Sequence, residues 1–234
     1  MSFLGVLKIF FQSLYLVFFQ VEISKWFRKA AFRCLALAIF VIIFLMSSGA
    51  YVISHLGDKI WFDLGAILWA LLLFFFSGTL TAALMTFFLG LLGNEAELLS
   101  ALSGKSDIKM KSKGIHWRWS ELVGAFISVL MSLMAAPFLI FPPLIPLGLL
   151  ILSWGLGGEV LSCAERLLVQ SSLINIEKPL KKPHWLRCSV GLGPAIMSLF
   201  PVLSWFLWPI ALIVALRTLL LQEGIQKSIN MDRL

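Results

Sequence analysis

The chain has 234 residues, of which 60% are hydrophobic and 13% charged, and its formal net charge is +7. No soluble domain of this length can hide so much apolar surface, so composition excludes a soluble module and predicts one compact integral membrane domain, residues 1–234. Basic loops retained on the cytoplasmic side account for the positive excess, and nucleic acid is not needed to explain it.

In chain order, the first segment is strongly apolar from Phe3 to Val21, with Lys8, Gln12 and Tyr15 at helical spacing on one narrow side. That pattern predicts an interfacial helix over residues 1–21 lying along the bilayer surface, with a tilted extra span as the alternative. No basic residue precedes Lys8 and no small-residue cleavage pattern follows, so the segment is expected to be retained. Lys25, Arg28, Lys29 and Arg33 then lead into an uninterrupted apolar run, Cys34 to Ile53. A second run, Leu64 to Gly93, also lacks proline and is expected to continue as helix to about Ser103, where Gly104 is a stop. A bilayer core about 30 Å thick needs roughly 20 helical residues at about 1.5 Å each, so residues 34–53 and 64–93 are read as the two spans. The linker between them has Lys59 beside Asp58 and Asp63, whereas the segments before and after carry clustered Lys and Arg. The positive-inside rule therefore puts the linker outside and the basic segments in the cytoplasm.

The last two apolar stretches differ, because prolines interrupt them: Pro137, Pro142, Pro143 and Pro146 in the hairpin 122–161, and Pro201 and Pro209 in the hairpin 189–221. The arms beside those prolines, Leu122–Ala136, Leu147–Leu161, Ser189–Phe200 and Pro209–Leu221, have 15, 15, 12 and 13 residues. At about 1.5 Å per residue they are shorter than a bilayer core. Basic segments flank each hairpin, so neither is a single crossing. Each is either a re-entrant hairpin or a full two-span hairpin, and arm length favours the former. The expected fold is thus an all-α integral membrane protein: two transmembrane helices, two partly penetrating helical hairpins and an N-terminal interfacial helix.

Reactive constellations are missing from the sequence. There is no phosphate loop, no HxxxH or CxxC pair, and no GxSxG elbow, so no enzyme, cofactor or metal is expected. The three cysteines, Cys34, Cys163 and Cys188, have no ligand spacing. His55, His116 and His184 fall near segment ends, where a solvated interfacial role is expected. The spans and hairpin tips lack charges, which argues against a carboxylate-based proton pump. An anion can instead be bound by helix ends, exposed backbone N–H groups and basic side chains. The candidates are Arg28 and Lys29, for which topological anchoring is the alternative, and Ser189, Gly191 and Gly193, for which close helix packing is the alternative. Arg217 either lines a polar path or snorkels to the interface.

The pattern resembles the CysZ sulfate-permease family of bacterial inner membranes, whose distant relatives include the eukaryotic etoposide-induced membrane proteins. The resemblance runs from about Phe10 to Glu223. It rests on Phe27, Arg28 and Lys29 before the first span, on Met85 to Glu97 (MTFFLGLLGNEAE), on Phe141 to Pro146, and on Val190 to Pro209 (VGLGPAIMSLFPVLSWFLWP). Thr86 stands where that family has proline, Asn94 replaces its first glutamate while Glu97 retains the second, and Arg166 and Leu167 replace a tyrosine and a proline. The resemblance implies sulfate entry for cysteine synthesis, homo-oligomerisation and a sulfate-contacting role for Arg28 and Lys29; Arg217 and Glu97 are read separately as a possible pathway. The competing reading is a non-transporting membrane scaffold or assembly factor, which half-inserted hairpins and basic loops would serve equally well.

Overall fold

The structure is a computed structural model that describes residues 3–55, 63–67, 69, 95–105, 108, 117–174, 183–197, 200 and 207–222. Most of the expected second span, 64–93, and the expected hairpin tip at 201–206 lie outside the described residues. Among the described residues the chain is helical throughout and has no strand.

Helix α1, Phe3–Phe19, is followed after the single residue Gln20 by α2, Val21–Ser54. The hydrogen-bond ladder crosses that joint, since Gln20 N donates to Leu16 O and Ser24 N donates to Gln20 O. The buried face of α1 is Val6, Ile9, Ser13 and Val17, a spacing of three to four residues that puts them on one stripe. Its other faces expose Leu4, Phe11 and Phe18. Helix α2 is longer than the span read from its apolar run, because Lys25, Arg28, Lys29 and Arg33 belong to its first turns. Ile23, Trp26, Ala30, Cys34, Ala38 and Val41 form its inner stripe, while Phe32, Phe40, Ile43 and Phe44 point outward. Only 28% of its most apolar window is covered, so it is not the core helix of a soluble bundle.

Helix α3, Glu95–Ser103, packs on α2 and stops where Gly104 takes φ of 70°, a left-handed conformation that glycine adopts without steric cost. Helix α4, Trp117–Ile140, and helix α5, Ile145–Gln170, form an antiparallel hairpin joined by a 3₁₀ turn, Pro142–Leu144. Here the expected arm lengths are corrected: the helices have 24 and 26 residues rather than 15 and 15. Pro137 sits inside α4 without ending it, and Pro146 lies in the first turn of α5, where a missing N–H leaves no bond unmade. Beyond Leu161 the polar residues Ser162, Glu165 and Arg166 continue the helix rather than leave it. At about 1.5 Å per residue the two helices are about 36 and 39 Å long, more than a bilayer core. Among the described residues two helices are long and apolar enough to cross a membrane, Val21–Tyr51 and Pro142–Gln170.

Helix α6, His184–Met197, and helix α7, Leu207–Gln222, make the last pair, with 14 and 16 residues. They remain shorter than a bilayer core, at about 21 and 24 Å. Apart from Arg217 and Thr218, helix α7 is apolar on every side, and the reason is its position: Trp208 to Leu220 are all buried beneath α1, α2, α5 and α6. Trp208 is 2% exposed because it stands inside this enclosure. The largest interface joins α5 to α6, and the bundle is built outward from these two helices and α7.

Candidate anion site

Three groups of side chains fall where the sequence pointed, and each has a different environment. At the start of α2, Lys25, Arg28 and Lys29 lie three and four residues apart and are exposed on one face. Lys29 reaches across to α3, where its Nζ is 3.4 Å from Glu97 Oε2. The structure thus brings together two residues singled out for separate reasons. Both side chains are more than half exposed, 52% and 58%, so the pair is screened by water and weak.

Ser189, Gly191 and Gly193 lie on α6 as it crosses its neighbours. Gly191 receives the Ser153 carbonyl of α5 where a Cβ would stand, and Gly157 of α5 receives the Arg187 carbonyl of α6 in the same way. Gly193 is covered by the Phe10 ring of α1. The hydroxyl of Ser189 donates to Trp185 O at 2.7 Å within its own helix. Close packing, the alternative reading of these glycines, is what their surroundings show. At the exposed lip of the same crossing, Trp154 Nε1 donates to His184 Nδ1 at 3.2 Å, and the Arg187 guanidinium lies 5.5 Å from the Trp154 ring centre. His184 is the first residue of α6, at a segment end as expected.

The third group is the one that sequence reasoning undervalued. Arg217 lies on the enclosed helix α7 and is 5% exposed, so its side chain does not snorkel outward. Its Nη1 donates to Ser13 Oγ at 3.1 Å and to Ile9 O at 3.4 Å, and its Nη2 donates to Gln12 Oε1 at 3.2 Å. Ser13 in turn donates to Ile9 O at 2.7 Å, which locks the hydroxyl in place as an acceptor for Arg217. All three partners come from α1, and all are neutral oxygens. The Arg217 Nε is buried with no hydrogen-bond partner among the described residues. A buried guanidinium is strongly penalised unless an anion or a full set of acceptors compensates it. This one has neither among the described residues.

Glu159 on α5 is 7% exposed, a buried carboxylate. The signal for it was the preceding Gly157, where α6 comes close over that face of α5. Among the described residues no group of three or more His, Cys, Asp or Glu is placed to hold a metal ion.

No known protein family, curated protein or solved structure compared with the chain matches it.

Proposed function

We propose that this chain is a membrane-embedded oxyanion importer or channel, with sulfate as its substrate and the bacterial inner membrane as its site. The observation that carries the reading is Arg217, a cation enclosed in an apolar helix with only neutral partners. Ionisable groups held at that depth are expensive, and their usual use is an ion path. The net charge of +7 and the exposed stripe Lys25, Arg28 and Lys29 add an attractive field for anions at one end of the bundle. The choice of sulfate rests on the resemblance of the basic pair and the final proline-broken block to the sulfate-permease family.

In this reading α2 and the 64–93 segment cross the membrane with their basic ends in the cytoplasm. The pair α4 and α5 has length enough for two full crossings, whereas the pair α6 and α7 penetrates part-way. Copies of the chain assemble through outward apolar faces such as that of α2. Radiolabelled sulfate uptake by proteoliposomes tests the function. Saturable flux above that of empty vesicles is expected, under an imposed proton, sodium or sulfate gradient. Absence of flux under all three gradients, together with recovery of a stoichiometric protein partner, would replace transport by the scaffold reading.

A further inference from the structure

The hydrogen bonds of Arg217 are unevenly distributed. A guanidinium has an end and a side edge: Nε–H and one Nη2–H point the same way along that edge and fit two oxygens of one carboxylate, phosphate or sulfate. In this protein the Nη1 end is fully engaged by Ser13 and Ile9. The side edge is half used. Nη2 meets the single amide oxygen of Gln12, and Nε meets nothing among the described residues. An edge shaped for two charged oxygens has one neutral oxygen, on Nη2.

Gln12 also differs from Ser13 in reach. Ser13 is fully buried, whereas Gln12 is only partly buried at the rim of the α1–α7 contact. Lys8 lies one turn earlier on the same face of α1 and is exposed. The narrow polar stripe of α1 therefore leads from an exposed cation, past a displaceable amide, to a buried one. A merely interfacial helix has no need of that order.

We propose that Gln12 is a removable plug in an oxyanion site formed by Arg217: a tetrahedral oxyanion displaces the Gln12 amide and takes both N–H groups of the Nε and Nη2 edge, with Lys8 marking the approach. The inference rests on the anion reading above and adds to it the recognising edge and the residue that gates it. Ser13 and Ile9 keep the guanidinium oriented while Gln12 turns away, so the exchange requires a side-chain rotation rather than an unfolding of α1.

Substitutions at Gln12 give the test its direction. In Gln12→Glu a built-in carboxylate satisfies the fork, so the detergent-purified protein melts at a higher temperature without sulfate and loses its response to it. In Gln12→Ala the plug is gone and sulfate competes with nothing, so its apparent affinity rises by about threefold or more. Arg217→Lys keeps the charge and loses the planar fork, and sulfate binding weakens by about tenfold. The readout is the thermal midpoint against sodium sulfate, with sodium chloride at matched ionic strength as the control. A sulfate-specific shift in the native chain that disappears in Gln12→Glu supports the plug. No such shift in the native chain, or shifts unchanged across the three variants, overturns it. Flux separates this inference from the proposed function: transport with an unchanged Gln12→Glu variant overturns the plug and leaves transport standing. No transport, with a sulfate shift that Gln12→Glu removes, overturns transport and leaves the site.

Discussion

Gly157 and Gly191 interlock across the α5–α6 crossing: each lies under a carbonyl of the opposite helix, Arg187 over Gly157 and Ser153 over Gly191. Helix backbones approach this closely only where side chains are absent, and the contact places Cα–H groups against carbonyl oxygens. Gly158, next in the chain, lies outside this contact. A Cβ there would meet Arg187 Cδ at 3.7 Å, an ordinary contact. Neighbouring glycines should therefore respond oppositely to the same change. Gly157→Ala or Gly191→Ala should cost about 2 to 3 kcal/mol or prevent folding, while Gly158→Ala should be neutral or stabilise by up to about 1 kcal/mol through helix propensity. Thermal midpoints in detergent check the contrast, and equal loss at Gly157 and Gly158 would refute the crossing.

Two left-handed residues among those described make a second opposed pair. Gly104 has φ of 70° with open space around the missing Cβ, and Ser172, just past α5, has φ of 55°. An L-residue in that region is strained by about 1 kcal/mol. Gly104→Ala should lower stability by about that much, and Ser172→Gly should raise it by a few tenths to about 1 kcal/mol. The same melting measurement applies, and a loss on Ser172→Gly would contradict the backbone assignment.

The Lys29–Glu97 pair should matter to binding more than to stability. Its side chains are largely exposed, so Glu97→Gln should change stability by less than about 1 kcal/mol. Removing the carboxylate leaves Lys29 free for an anion beside Arg28. Sulfate affinity should rise about two- to fivefold in Glu97→Gln and fall in Arg28→Ala with Lys29→Ala. Isothermal titration of the folded variants decides this, and unchanged affinity in the double alanine variant would remove the basic pair from the site.

The length of α4 and α5 also has a topological consequence. The turn between them exposes Phe141 and Leu144. If both helices cross, Leu144→Cys should react with a membrane-impermeant maleimide from the side opposite to Lys105→Cys. Labelling of both from the same side would return the hairpin to a partial insertion.

Parts of this architecture are legible in the amino-acid sequence. The turn at Pro142 to Pro146 and the all-helical class follow from proline's fixed φ, its missing N–H and the apolar run lengths. The shortness of α6 and α7 was legible for the same reason. Arm lengths beside Pro137 were not, because a proline in the last turns of a helix deletes one bond without stopping the rest, and because Ser162 to Gln170 prolong α5 with polar residues. Gly191 could be read as an anion cradle or a packing contact from its own neighbourhood, and only its partner Gly157 distinguishes the two. Arg217 stood out as the lone charge in α7, yet its direction depended on which helix covers it. Local sequence carries conformation well and carries pairing between distant helices poorly.

Gln20 is one residue long as a joint, and the amide ladder runs through it from Leu16 to Ser24. Such a seam resists swivelling. While the Gln12 side chain rotates, α1 and the first turns of α2 keep their register, so Arg28 and Lys29 stay where they are. The outermost cations and the innermost one are thereby held on one continuous strut.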